Sequence, residues 1–144
     1  MPVKIKFKKK LKAILIKSKE IKKTRGINFF TNSKLPIQVA SMNHKKGHQI
    51  IPHTHKKIFR KIHITSEVLI ITRGLIIVNF FNKKKLFKKI KLYSGDIIIF
   101  FGGTHGFEIN KDSRFIEVKQ GPYYHQDIDK ETFTISKSKK AKKV

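Results

Sequence analysis

Residues 47–74 read GHQIIPHTHKKIFRKIHITSEVLIITRG, and the fold turns on how this stretch is read. His53 and His55 stand one residue apart, just ahead of a strongly apolar run. In a β-strand that spacing sends both imidazoles to the same face of the sheet. Glu67 opens the run EVLIITRG, where a carboxylate is costly unless it is paired or bound to a metal. A salt bridge from Glu67 to one of the many lysines is the competing reading, and a charged surface is the competing reading of the histidines.

Working outward, the chain reads as strands and turns. VKIKF (3–7), GINFF (26–30), LPIQVASMN (35–43), HQIIPHTH (48–55), IFRKIHI (58–64) and EVLIITRG (67–74) are short runs rich in β-branched and aromatic residues. LIIVNFF (75–81), KLFKKIKL (85–92), GDIIIFF (95–101), HGFEI (105–109) and RFIEVKQ (114–120) continue the series. Turn residues separate them at Gly47, Gly74, Asn82-Lys83, Gly95, Gly102-Gly103 and Asn110–Ser113. Residues 11–23 fit a short helix or a strand equally well. The pattern predicts an all-β sandwich or barrel. It divides the chain into a basic segment at 1–25, a β domain at 26–133, and a basic, disordered tail at 134–144. VLII and DIIIFF do not alternate, so each needs cover on both faces. A homodimer would supply it.

The charge of +25 follows from 34 lysines and arginines against nine acids. Such an excess suits a nucleic acid, an anionic membrane or a phosphorylated ligand. Only Arg25, Arg60, Arg73 and Arg114 are arginines, however, and arginine is the better fork for phosphates and bases. The lysines are scattered in runs rather than gathered on one recognition element, so no specific nucleic-acid partner is expected. The absence of cysteine excludes disulfides and thiolate metal sites. No apolar run is long enough for a membrane span, and a cytoplasmic location is the expectation.

Among the remaining histidines, His44, His48, His63 and His125 read as structural or solvated. His105 differs, because it follows the glycine turn FGGTHG at the start of a strand and shares a face with Phe107. Three imidazoles and one carboxylate on neighbouring strands, His53, His55, Glu67 and His105, would suit a divalent first-row metal.

These residues carry a resemblance. GHQIIPHTH with EVLIITRG resembles the first motif of the cupin family, with Gly47, His53, His55, Glu67 and Gly74 in its positions. GDIIIFFGGTHGFEIN is similar to the second motif, with Gly95, His105 and Asn110 in place. Eleven residues, KKIFRKIHITS, separate His55 from Glu67, more than the family pattern has, and Phe101 stands where the second motif has proline. The resemblance implies a cupin-type double-stranded β-helix, a closed jelly-roll barrel. It also implies that His53, His55, Glu67 and His105 bind iron, manganese, nickel, copper, cobalt or zinc.

The likeness extends over residues 26–133 to a cupin group associated with surface-polysaccharide and nucleotide-sugar genes. That implies a sugar or nucleotide-sugar ligand and a metal-dependent isomerase or epimerase. His63, Glu117 and Lys119 are the candidate acid–base residues; the plainer reading makes them a hairpin histidine and a surface ion pair. A non-catalytic sugar-binding module, a dioxygenase and a basic nucleic-acid binder are the alternatives.

Overall fold

A computed structural model describes residues 1–23 and 25–134. The expected tail beyond 134 lies outside the described residues. The order of elements is β1 (Val3–Phe7), β2 (Lys10–Ile16), α1 (Ser18–Lys22), β3 (Gly26–Phe29), β4 (Ala40–Asn43) and β5 (Ser66–Arg73). It continues with β6 (Leu75–Asn82), β7 (Lys85–Tyr93), β8 (Ile97–Phe101), β9 (Thr104–Ile109), β10 (Arg114–Lys119) and α2 (Gln126–Asp129). The ambiguous residues 11–23 divide between the strand β2 and the single-turn helix α1. Ile5 and Ala13–Ile16 are buried, so the N-terminal segment is part of the packed structure.

The strands form three sheets: β1-β2-β8-β5-β10, β7-β6-β9 and the hairpin β3-β4. The first two pack face to face around Ile5, Leu15, Leu69, Ile71, Val78, Phe80, Ile98 and Phe100. Burial of each such aliphatic or aromatic side chain contributes about 1.5–3 kcal/mol. Phe80 and Phe100 meet across the two sheets, with ring centroids 5.9 Å apart.

Pairing register decides what each sheet turns inward. Glu67 lies opposite Phe100 on β8 and Lys119 on β10, while Leu69 lies opposite Ile98 and Glu117. Alternation therefore puts Glu67, Leu69, Phe100, Glu117 and Lys119 on the face that looks toward the smaller sheet. On β9, His105 and Phe107 lie opposite Phe80 and Val78 of β6, both core residues, so they look back toward the first sheet.

The expected closed jelly roll is not formed. Among the described residues the sheets stay open, with β1, β10, β7 and β9 at their edges. Strands were expected over 48–55 and 58–64, and no ladder includes either stretch. The stretch finds no neighbouring strand to pair with, and its local sequence adds to this. Pro52 donates no backbone hydrogen bond, and Lys56, Lys57, Arg60 and Lys61 crowd one short run with positive charge. The β-rich reading is right, and the closed barrel that the cupin resemblance implied is wrong.

The apolar outer face of VLII and DIIIFF is covered within the chain. Val68, Ile99 and Phe101 pack with Ile14 and Ile16, and Phe30, Leu35, Ile37 and Val39 lie against them. The loop before β4 thus supplies a layer that the strand pattern alone assigned to a second subunit. No helix among the described residues is long and apolar enough to cross a membrane.

Candidate functional site

A cleft of about 490 Å³ opens between the two larger sheets, where they splay apart at β9 and β10. Its lining includes Glu67, Phe100, His105, Phe107, Glu117 and Lys119, together with residues 129–132. The turn from β8 into β9 shapes one side. Gly102 and Gly103 both take left-handed φ values, +69° and +93°, which side chains with a Cβ rarely adopt. That double glycine reverses the chain abruptly enough to bring His105 back over Phe100.

The imidazole of His105 stacks on the Phe100 ring, with centroids 4.2 Å apart and planes inclined by 14°. Its Nε2 lies 3.1 Å from Glu67 Oε2. Its Nδ1 lies 3.3 Å from the carbonyl oxygen of Gly103. Both neighbours are acceptors, so a ring with a proton on each nitrogen donates to both, whereas a neutral ring donates to only one. The two side chains retain 20% and 13% of their exposure, so the pair is largely but not fully withdrawn from water.

The hydrogen bond from His105 holds the Glu67 carboxyl below its usual range. Partial burial opposes that shift, and the positive charges of His105, Lys130 and Lys119 add to it. Lys119 also places its Nζ 4.3 Å from the centre of the Tyr123 ring. The site therefore presents a carboxylate held ionised, a hydrogen-bonded imidazole and a nearby ammonium against an aromatic floor.

Of the four expected metal ligands, the fold brings Glu67 and His105 together and keeps His53 and His55 apart from them. His53 and His55 are exposed in the segment before β5, their rings edge to face at 5.2 Å, and His53 Nδ1 meets the carbonyl oxygen of Ile51 at 3.0 Å. Among the described residues no group of three or more histidines, cysteines or acids could hold a metal ion. The expected divalent cofactor is accordingly withdrawn, and the metal-dependent sugar isomerase or epimerase goes with it. The His-x-His spacing gives one face only inside a strand, and this stretch forms none.

His63 is exposed and lies outside the strands, away from the cleft lining. Glu117 and Lys119 line the cleft through the inward parity of β10. Sequence reasoning missed Phe100 as the floor of the site and residues 129–132 as part of its lining. The Phe100 signal was present in its register parity with Glu67; residues 129–132 had none, because their place depends on the path of the chain after β10.

No known protein family matches the chain, and no curated protein or solved structure does either. The cupin resemblance is thereby overturned, together with the polysaccharide association and the jelly roll it implied. The open sheets agree with that correction.

Proposed function

We propose that the protein binds a small oxygen-bearing metabolite in this cleft and moves a proton on it, with Glu67 as acceptor and His105 as donor. The observation that carries the reading is the Glu67–His105 pair at 3.1 Å on the wall of the cleft. A carboxylate kept ionised takes a proton from an O–H, or from a C–H beside a carbonyl. The imidazole hydrogen-bonded to it returns one to an oxygen from a ring N–H. A carboxylate held ionised beside a hydrogen-bonded imidazole is a usual basis of acid–base chemistry. Lys119 would steady negative charge that develops on the ligand, and Phe100 and Phe107 would hold its apolar face.

The test is solvent deuterium incorporation into a panel of small keto and hydroxy acids and ketones, read by mass spectrometry. Wild-type protein should exchange a carbon-bound hydrogen in at least one member, and Glu67→Gln should abolish that exchange. Equal exchange in wild type and variant, or none with any member, would overturn the assignment.

A further inference from the structure

Residues 44–65, between β4 and β5, join no ladder among the described residues. Their contacts are local: the His48 amide donates to the Lys45 carbonyl, and Arg60 donates to the carbonyl of Ile58. Yet this arm holds Ile51 at 83% exposure and Phe59 at 90%, with Ile50, Ile58, Ile62 and Ile64 exposed as well. Exposed apolar side chains this closely grouped mark a surface that meets something. Lys56, Lys57, Arg60 and Lys61 are interleaved with them.

The cleft has the complementary character. Glu67, Glu117, Asp129 and Glu131 line it, four of the nine acids in the chain, against two lysines, Lys119 and Lys130. Phe107, Ile109 and Phe115 beside it are exposed, and the Phe107 and Phe115 rings lie 6.3 Å apart across the gap between β9 and β10. The four edges of the two larger sheets also differ. β1 and β7 carry lysines along their length, the usual guard against edge pairing. β9 has no lysine, and β10 has basic residues only at its two ends. Of the edges of these two sheets, the unguarded ones are the two that flank the cleft.

Within one chain the basic apolar arm and the acidic apolar cleft both stay uncovered. Ile64 and Thr65 lie on the cleft wall where the arm departs, and the residues before them point to solvent. A two-fold exchange between copies covers both surfaces with one contact made twice. We infer that the arm of one copy lies across the cleft of a second, reciprocally, so that each Glu67–His105 site is roofed by the other subunit. The roof would exclude water from a ligand held below it. The inference deepens the cleft reading, but its test needs no ligand, so either can fail alone.

The chain has no cysteine, so introduced thiols report cleanly. Phe59→Cys on the arm and Glu117→Cys in the cleft are made as separate proteins, mixed, and treated with a bismaleimide cross-linker. The control mixture pairs Phe59→Cys with Lys4→Cys, at the far edge of the first sheet. A specific complex raises effective concentration well above chance collision, so the cleft mixture should give about tenfold more cross-linked dimer than the control. Wild-type protein should sediment as a dimer at micromolar concentrations. A monomer in sedimentation, equal yields from the two mixtures, or a link that closes within one chain when both thiols share it would overturn the inference.

Discussion

Glu67 and His105 belong to different sheets, and their 3.1 Å hydrogen bond ties β5 of the five-stranded sheet to β9 of the three-stranded one. The contact is thus both a candidate reactive pair and a strut at the open end of the sandwich, where the apolar core gives way to the cleft. Removing the carboxylate charge should therefore weaken the fold as well as the chemistry. Glu67→Gln is expected to lower stability by about 1.5–3 kcal/mol, the range for a hydrogen bond to a charged group. Urea unfolding followed by circular dichroism measures it.

Because the folded carboxyl titrates below its usual range, the pair's contribution depends on pH in a definite direction. The unfolded chain binds this proton more readily than the folded chain. The stabilisation is therefore complete above the ordinary carboxylate range and is lost as pH falls through the lowered folded value. The stability difference between wild type and Glu67→Gln should accordingly be full at neutral pH and shrink steadily in acid. Parallel urea titrations between neutral pH and pH about 3 read that difference.

Most individual strands were legible in the sequence, whereas their assembly into open sheets and not a closed barrel was not. EVLIITRG, LIIVNFF, KLFKKIKL and RFIEVKQ became β5, β6, β7 and β10 because their β-branched runs end at turn residues that fix the boundaries. The arm failed because IFRKIHI has a strand's composition without a neighbour to pair with, and pairing is a property of the whole fold. Glu67 and His105 could be singled out from the cost of burying a carboxylate and from the glycine turn before the histidine. Their meeting could not be read from spacing, since it requires two sheets to face each other. The metal assignment went wrong at the same point, because a shared strand face was assumed for His53 and His55 where no strand forms.

Asp96 is nearly buried, and its carboxylate gathers three separate elements. It accepts from Lys17 Nζ at 2.8 Å, from the Ser18 amide at 3.0 Å and from the Tyr93 amide at 3.0 Å. It joins the end of β2, the start of α1 and the β7–β8 turn. Asp96→Ala leaves two backbone amides without this acceptor and should cost about 2–4 kcal/mol. The loss is measurable in thermal or urea unfolding, and Asp96→Asn should recover part of it.

Gly74 joins β5 to β6 with φ at +87°, and an added Cβ would collide with the Ser113 side chain and the Asp112 carbonyl. Ser113 itself accepts from the Leu75 amide at 3.0 Å, so the loop has little room to retreat. Gly74→Ala should therefore destabilise by about 1–3 kcal/mol through backbone strain together with the clash. The same change at Gly47, whose φ is +86° with no atom in reach of a Cβ, should cost less because only the strain applies.

The charge of +25 should act as a diffuse field. Lysines project along β7 and β1, on the opposite edges of their sheets from the cleft, and are not confined to one groove. Binding to duplex DNA is expected to be weak, indifferent to sequence, and steeply lost as salt rises. Fluorescence anisotropy with two unrelated duplexes across a salt series checks this. Tight binding to one duplex alone at physiological salt would contradict it.

The central claim is that Glu67 and His105 act as one hydrogen-bonded unit at the cleft. The most direct measurement is a carbon-detected NMR titration of the Glu67 side-chain carboxyl in wild type and in His105→Ala. The wild-type midpoint should lie below the ordinary carboxylate range, and loss of the imidazole should move it upward, since the His105 hydrogen bond is the largest cause of the depression. A midpoint that is the same in both proteins would show that the two side chains do not interact, and the proposed site would be wrong.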